Sequence, residues 1–274
     1  MDVGHVVAIG WRAAEIIGDT AAEVRVVVPL SASIYIAAGR EVLWLGGPSD
    51  LMHPRAILLS ALPDASARAR DDRLTVPAPR PIPWRPETPT GGAVAASALR
   101  LGARRLGATA AAGGEPEGFG AWLMRQPLPF PLSVATKAAD ALAAACAADD
   151  APGAAEAALS LLGLGLGLTP SGDDFVGGAF FARATLARLG AAEAAAWSRA
   201  AASVRAATRA ATTPISATLL GDLLDGHGWS PLHELVSFLV ANDAARAVEA
   251  AARLTRLGHS SGWDLFAGFV AGAS

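Results

Sequence analysis

The chain has 274 residues, 52% of them hydrophobic and 17% charged, with a formal net charge of −3. That apolar content excludes a disordered chain, which needs high charge and little to bury, and suits one large domain or two small ones. The slightly acidic balance argues against a basic face, so no nucleic-acid partner is expected.

Cys146 is the one cysteine, so no internal disulfide is expected and a reducing compartment fits. Alanine supplies 65 residues, and Lys137 is the only lysine among 22 basic residues. A Schiff-base or Walker-type mechanism therefore depends on Lys137 or is absent. The start, Met1-Asp2-Val3-Gly4-His5, has neither the basic beginning nor the apolar stretch of a leader. The longest uncharged window, Ala157 to Gly172, has 16 residues, fewer than the roughly 20 needed to span a bilayer. The expectation is a cytoplasmic protein with no membrane partner.

The first third reads as strands. Gly10 to Ile17 suits a short helix. Glu23–Pro29, Ser33–Ala37, Glu41–Leu45, Arg55–Ser60 and Arg73–Val76 are short β-branched or aromatic runs, with a tight turn at Gly39-Arg40. Six prolines then fall within residues 77–89, a stretch that cannot donate ladder hydrogen bonds and favours extended geometry. Beyond Gly92 the composition is helical. Helices are expected over Ala93–Leu106, Leu132–Ala148, Ala154–Leu162, Asp173–Leu189, Ala191–Ala211, Pro214–Leu224, Pro231–Val240, Asp243–Leu257 and from Gly262 onward. The fold class is therefore α+β. A β-rich lobe, a small barrel or sandwich over 1–76, is followed by a proline-rich connector at 77–92 and a larger all-helical lobe at 93–274.

The chemistry concentrates at three helix starts. The segment Gly163-Leu-Gly-Leu-Gly167-Leu-Thr169-Pro-Ser171-Gly172-Asp173-Asp174 is a glycine-rich loop entering a helix. It is neither a Walker A loop nor a dinucleotide fingerprint. Ser171-Gly172-Asp173-Asp174-Phe175-Val176-Gly177-Gly178 recurs 90 residues later as Ser261-Gly262-Trp263-Asp264-Leu265-Phe266-Ala267-Gly268. One reading makes both motifs capping boxes, in which serine accepts from the third helical N–H and the acid reaches back. The other makes them binding ends, with glycine baring N–H groups where the helix dipole favours an anion.

On the second reading the two ends differ. Asp173 and Asp174 bring two charges against the half charge of a helix start, which suits a divalent cation or an amide N–H. The second end has Asp264 with His259 and Ser260 beside it. It suits a phosphate or carboxylate, with His259 as donor or general acid–base. The third start, Thr212-Thr213-Pro214-Ile215-Ser216, has the pattern of a threonine cap and adds hydroxyls if it faces the same cavity. Among the other histidines, His5 is expected on a mobile terminus and His53 on the surface. His227 and His233 lack metal spacing. Trp263 reads as core.

Three segments, Gly167–Asp174 (GLTPSGDD), Thr212–Ser216 (TTPIS) and Gly258–Gly268 (GHSSGWDLFAG), resemble a bacterial domain-of-unknown-function family typified by the AllH subunit of oxamate carbamoyltransferase. The resemblance implies a part in carbamoyl transfer between oxalurate, oxamate and phosphate, in allantoin catabolism, within a complex of several different subunits. The chain lacks the Ser-Thr-Arg-Thr phosphate motif of ornithine and aspartate carbamoyltransferases, so such chemistry uses another site. Residue chemistry and resemblance together assign Asp173 and Asp174 to an amide or a magnesium ion, and His259 to proton transfer. Gly167, Thr169, Ser171, Gly172, Thr212, Thr213, Ser216, Ser260, Ser261, Gly262 and Asp264 would bind a small anionic metabolite. The alternative is a non-catalytic anion-binding or structural subunit.

Overall fold

A computed structural model describes residues 3–63, 72–109, 115–128 and 130–274. The chain divides into two compact units, Met1–Pro86 and Glu87–Ser274.

The first unit is built on strands β1 (Val6–Ile9), β2 (Ala22–Pro29), β3 (Ile34–Ala38), β4 (Glu41–Gly46), β5 (Ala56–Leu59) and β6 (Arg73–Val76), with helix α1 (Trp11–Ile17). They form one curled sheet, a half-barrel, in the order β1-β5-β4-β3-β2-β6, with β4 and β5 parallel and the other neighbours antiparallel. Alternation sends Ile34, Ile36, Leu43, Leu45, Ile57 and Leu59 to the concave core, which Ala13 and Ile17 of α1 complete. The turn at Gly39-Arg40 joins β3 to β4, with Gly39 at φ +61°.

Two expectations fail here. His5 is not on a loose end, because β1 follows it directly, its carbonyl accepts from the Ser60 N–H and its ring bonds the Ser60 hydroxyl. His53 is buried, with Nδ1 accepting from the Arg55 N–H at 3.2 Å. A four-residue strand is too short to show its alternation in sequence, and a polar ring is buried once its nitrogens have partners.

The second unit is helical. It comprises α2 (Gly92–Thr109), α3 (Phe119–Leu123), a 3₁₀ turn at Leu132–Ala135, α4 (Thr136–Ala147), α5 (Ala151–Leu159), α6 (Ser171–Arg188), α7 (Ala194–Ala211), α8 (Pro214–Leu224), α9 (Ser230–Val240), α10 (Ala244–Leu254) and α11 (Ser261–Gly272). Side-chain caps set several of these starts a few residues away from the sequence expectation. Asp150 caps α5 through the Gly153 N–H, and Glu193 caps α7 through Ala195 and Ala196.

Helices α6 and α11 form the centre and are buried around nearly their whole circumference, α6 with several polar residues among the apolar ones. They touch backbone to backbone. A Cβ on Gly178 would stand 2.2 Å from the Leu265 carbonyl oxygen, and one on Gly268 would stand 2.0 Å from that of Phe175. These contacts are reciprocal under the 90-residue offset, since Gly178 corresponds to Gly268 and Phe175 to Leu265. The short sequence repeat is thus a repeat in space, and its final glycines permit the close approach. No helix among the described residues is long and apolar enough to cross a membrane.

Candidate functional site at two paired helix starts

Helices α6 and α11 begin side by side. The hydroxyls of Thr169 and Ser261 share a hydrogen bond of 3.0 Å, and those of Ser171 and Ser260 one of 3.2 Å. Neither start is a capping box, because α6 and α11 have no side-chain cap bond from Pro170 or Ser260, the residues at their cap positions. Ser171 and Ser261 are instead the first helical residues, so their hydroxyls are free to link the two starts.

The loop before α6 is shaped by Gly163, Gly165 and Gly167, all at positive φ (+73°, +119° and +98°), a region that side-chain-bearing residues rarely adopt. Gly172 and Gly262 answer a different need. A Cβ on either would lie 1.9 Å from a carbonyl oxygen, of Leu161 and Leu254 respectively. Their N–H groups donate to the carbonyls of Leu164 (2.8 Å) and Leu257 (2.9 Å). They tie each helix start to the chain before it, and are not bared for an anion.

Asp173 is also committed. The Gly163 N–H donates to its Oδ1 at 2.8 Å, and the hydroxyls of Ser216 (2.6 Å) and Thr212 donate to its Oδ2. Thr213 caps α8, accepting from the Ser216 N–H at 3.0 Å while donating to the Leu168 carbonyl at 2.7 Å. The third helix start is therefore a brace. It pins the glycine loop through Leu168 and the α6 start through Asp173. Both oxygens of Asp173 thus accept hydrogen bonds, whereas Asp174 keeps one oxygen without a partner. Among the described residues no group of three or more His, Cys, Asp or Glu side chains is placed to hold a metal ion.

Asp174 and Asp264 are different. Both are buried, and each leaves Oδ2 without a hydrogen-bond partner. Asp264 Oδ1 accepts from the Phe119 N–H at 2.6 Å, at the start of α3. Burial pushes the Asp174 carboxyl well above the usual range, with the charges of Asp264 and Asp173 adding to it and the hydroxyls of Ser261 and Thr169 opposing. Burial likewise raises Asp264 to about 7, with Glu117 adding to it, against the stabilising Phe119 N–H and the hydroxyls of Ser171 and Ser260. The two acids occupy equivalent positions of the repeat. Both shifts run in the direction that favours the protonated acid.

His259 lies at the rim with its side chain 92% exposed, and its Nδ1 pairs with Glu117 Oε2 at 2.7 Å, which raises its pKa. Glu117 and the Phe119 N–H are parts of the site that sequence reasoning missed. They lie over 140 positions from their partners, and a five-residue helix has no pattern to reveal it. Trp263 is core, packed edge-on against Phe266.

Two equivalent helix starts, facing hydroxyls and a buried pair of acids define a helical protein with a polar site built on an internal repeat. Residues 161–273 match the family model of oxamate carbamoyltransferase subunit AllH, and this stretch runs from the glycine loop through α11. No curated protein and no solved structure matches the chain.

Proposed function

We propose that the chain is a subunit of a carbamoyltransferase-type assembly, and that the paired starts of α6 and α11 bind a small anionic metabolite bearing a carbamoyl or amide group. The observation that carries this reading is the pair of buried carboxyl oxygens, Asp174 Oδ2 and Asp264 Oδ2, left without partners. A buried polar atom without a partner costs free energy, which a ligand hydrogen bond offsets.

The protonation of the pair supplies the selectivity. An acid that keeps its proton donates to a carbonyl oxygen, while one that ionises accepts from an N–H. A carbamoyl group presents C=O and NH₂ side by side, so one shared proton gives Asp174 and Asp264 complementary roles. A proton donor held in a dry site also stabilises charge developing on the carbonyl oxygen, the electrostatic contribution that carbamoyl transfer needs. On this reading the hydroxyls of Thr169, Ser171, Ser260 and Ser261 turn from each other to the anionic end of the ligand. His259, oriented by Glu117 and open to solvent, moves the proton. Asp173, Thr212, Thr213 and Ser216 hold the scaffold and do not touch the ligand. The family's description as a subunit supports partner chains that complete the reaction.

The test is calorimetric titration of the chain with oxamate and with carbamoyl phosphate, each with and without magnesium. Binding in the micromolar to low-millimolar range, about −8 to −4 kcal/mol, is expected. Asp174→Asn and Asp264→Asn should each abolish it without loss of fold. An isotherm that neither substitution changes, or no heat with either ligand, refutes the reading.

A further inference from the structure

We propose a second binding site, for a small organic anion carrying a carboxylate or phosphate group, in the cavity between α6, α7 and the end of α8. The cavity has a volume of about 460 Å³, within the range of small-molecule sites. Three arginines line it, Arg183 and Arg188 from α6 and Arg205 from α7, together with Ser198, Ala202 and Asp225.

The arginines are only partly neutralised. Arg183 is 1% exposed, its guanidinium lies over the Trp197 ring at 4.5 Å, and it pairs with Asp149. Its Nε is buried with no partner, and Arg100 adds a further positive charge nearby. Arg205 donates to Asp225 Oδ1 at 2.6 Å and to the Gly221 carbonyl at 3.1 Å. Arg188 donates to the backbone carbonyls of Gly226 (3.1 Å) and Asp225 (2.5 Å), which orient it, and it shares the single Asp225 carboxylate with Arg205.

Three guanidinium groups thus stand against two carboxylates, and Asp149 is spent on Arg183. A concave wall with excess positive charge and low-dielectric surroundings focuses an attractive field on an anion. Arg188 and Arg205 each have five N–H donors and spend two on the bonds just given, which leaves donors for a carboxylate or phosphate. Burial lowers the pKa of both Arg183 and Arg188, outweighing the opposing charges of Asp149 and Asp225, the direction expected where a cation is held away from solvent. Arg188 lies 14 residues along α6 from Asp174, about 20 Å at the rise of an α-helix. The site is therefore separate from the paired helix starts and does not rest on that reading.

The experiment is calorimetric titration of the full chain with potassium phosphate and, in parallel, sodium oxalate, which distinguishes the two anion classes. It is repeated with Arg188→Gln, Arg205→Gln and Ala202→Glu. The last places a carboxylate at the cavity wall from an exposed helix position and removes no existing contact, so it keeps the fold, checked by circular dichroism. Saturable binding that weakens roughly tenfold or more in all three variants, and persists in Asp264→Asn, is the expected result. No saturable heat with either anion, or unchanged affinity in all three variants, overturns the proposal. So does binding that disappears in Asp264→Asn and persists in the arginine variants, because it then belongs to the helix starts.

Discussion

At the residue scale, three aspartates in one motif pair divide their labour according to what meets each carboxyl. Asp173 is surrounded by donors, so its removal strands the hydroxyls of Thr212 and Ser216 and the Gly163 N–H. Asp173→Ala is expected to cost about 3 kcal/mol, measured by urea unfolding. Asp264 behaves oppositely. Its folded pKa, about 7, lies above the ordinary carboxylate value, so folding favours the protonated form. That contribution is complete below pH 4 and is lost as pH rises toward and through 7, a difference of up to about 4 kcal/mol. Asp264→Asn should flatten the stability–pH curve in this window, and thermal melts from pH 4 to 8 will show it. An unchanged slope would mean that Asp264 is ionised throughout.

At the element scale, the contact between α6 and α11 sets where the two acids stand. Gly178→Ala or Gly268→Ala would push a methyl group into a backbone carbonyl that has no freedom to rotate away. Each is expected to destabilise by about 2 kcal/mol or more and, by parting the helix starts, to weaken ligand binding as well. Gly167→Ala is the informative comparison. Its Cβ would meet nothing within 4 Å, so only the strain of φ +98° remains, on the order of 1 kcal/mol. Denaturant midpoints of the three variants separate collision from strain. On α4, the Cys146 thiol is fully buried and its pKa is pushed up to about 12. Its alkylation by iodoacetamide at pH 8 should therefore track global unfolding.

For the whole molecule, each compact unit has its own apolar core, one enclosed by the half-barrel and α1, the other around α6 and α11. We infer that residues 87–274 produced alone unfold cooperatively and keep the pH dependence due to Asp264. Scanning calorimetry of that fragment decides this, and a broad, non-cooperative transition would contradict it. The stretch that matches the subunit family, 161–273, lies within this unit. Ligand binding at the helix starts is accordingly expected to survive removal of the β-rich unit.

The order of a β-rich part before a helical part was legible from composition, because β-branched runs and alanine-rich runs declare themselves locally. The helix starts at Ser171, Pro214 and Ser261 were legible too, as were the 90-residue repeat and the resemblance carried by GLTPSGDD and GHSSGWD. What those residues do was not. Ser-x-x-Asp reads as a cap until the neighbouring chain shows that the hydroxyls cross to the other helix and that Gly172 and Gly262 are steric necessities. Asp173 and Asp174 are adjacent in the chain and alike in chemistry. Only the tertiary structure surrounds the first with Thr212 and Ser216 and buries the second with one oxygen unpartnered. Glu117, Phe119 and the arginine cavity join segments far apart in sequence, with no local pattern to mark them. Local propensity acts over a few residues and can be read directly, whereas desolvation and hydrogen-bond satisfaction depend on neighbours that folding alone supplies.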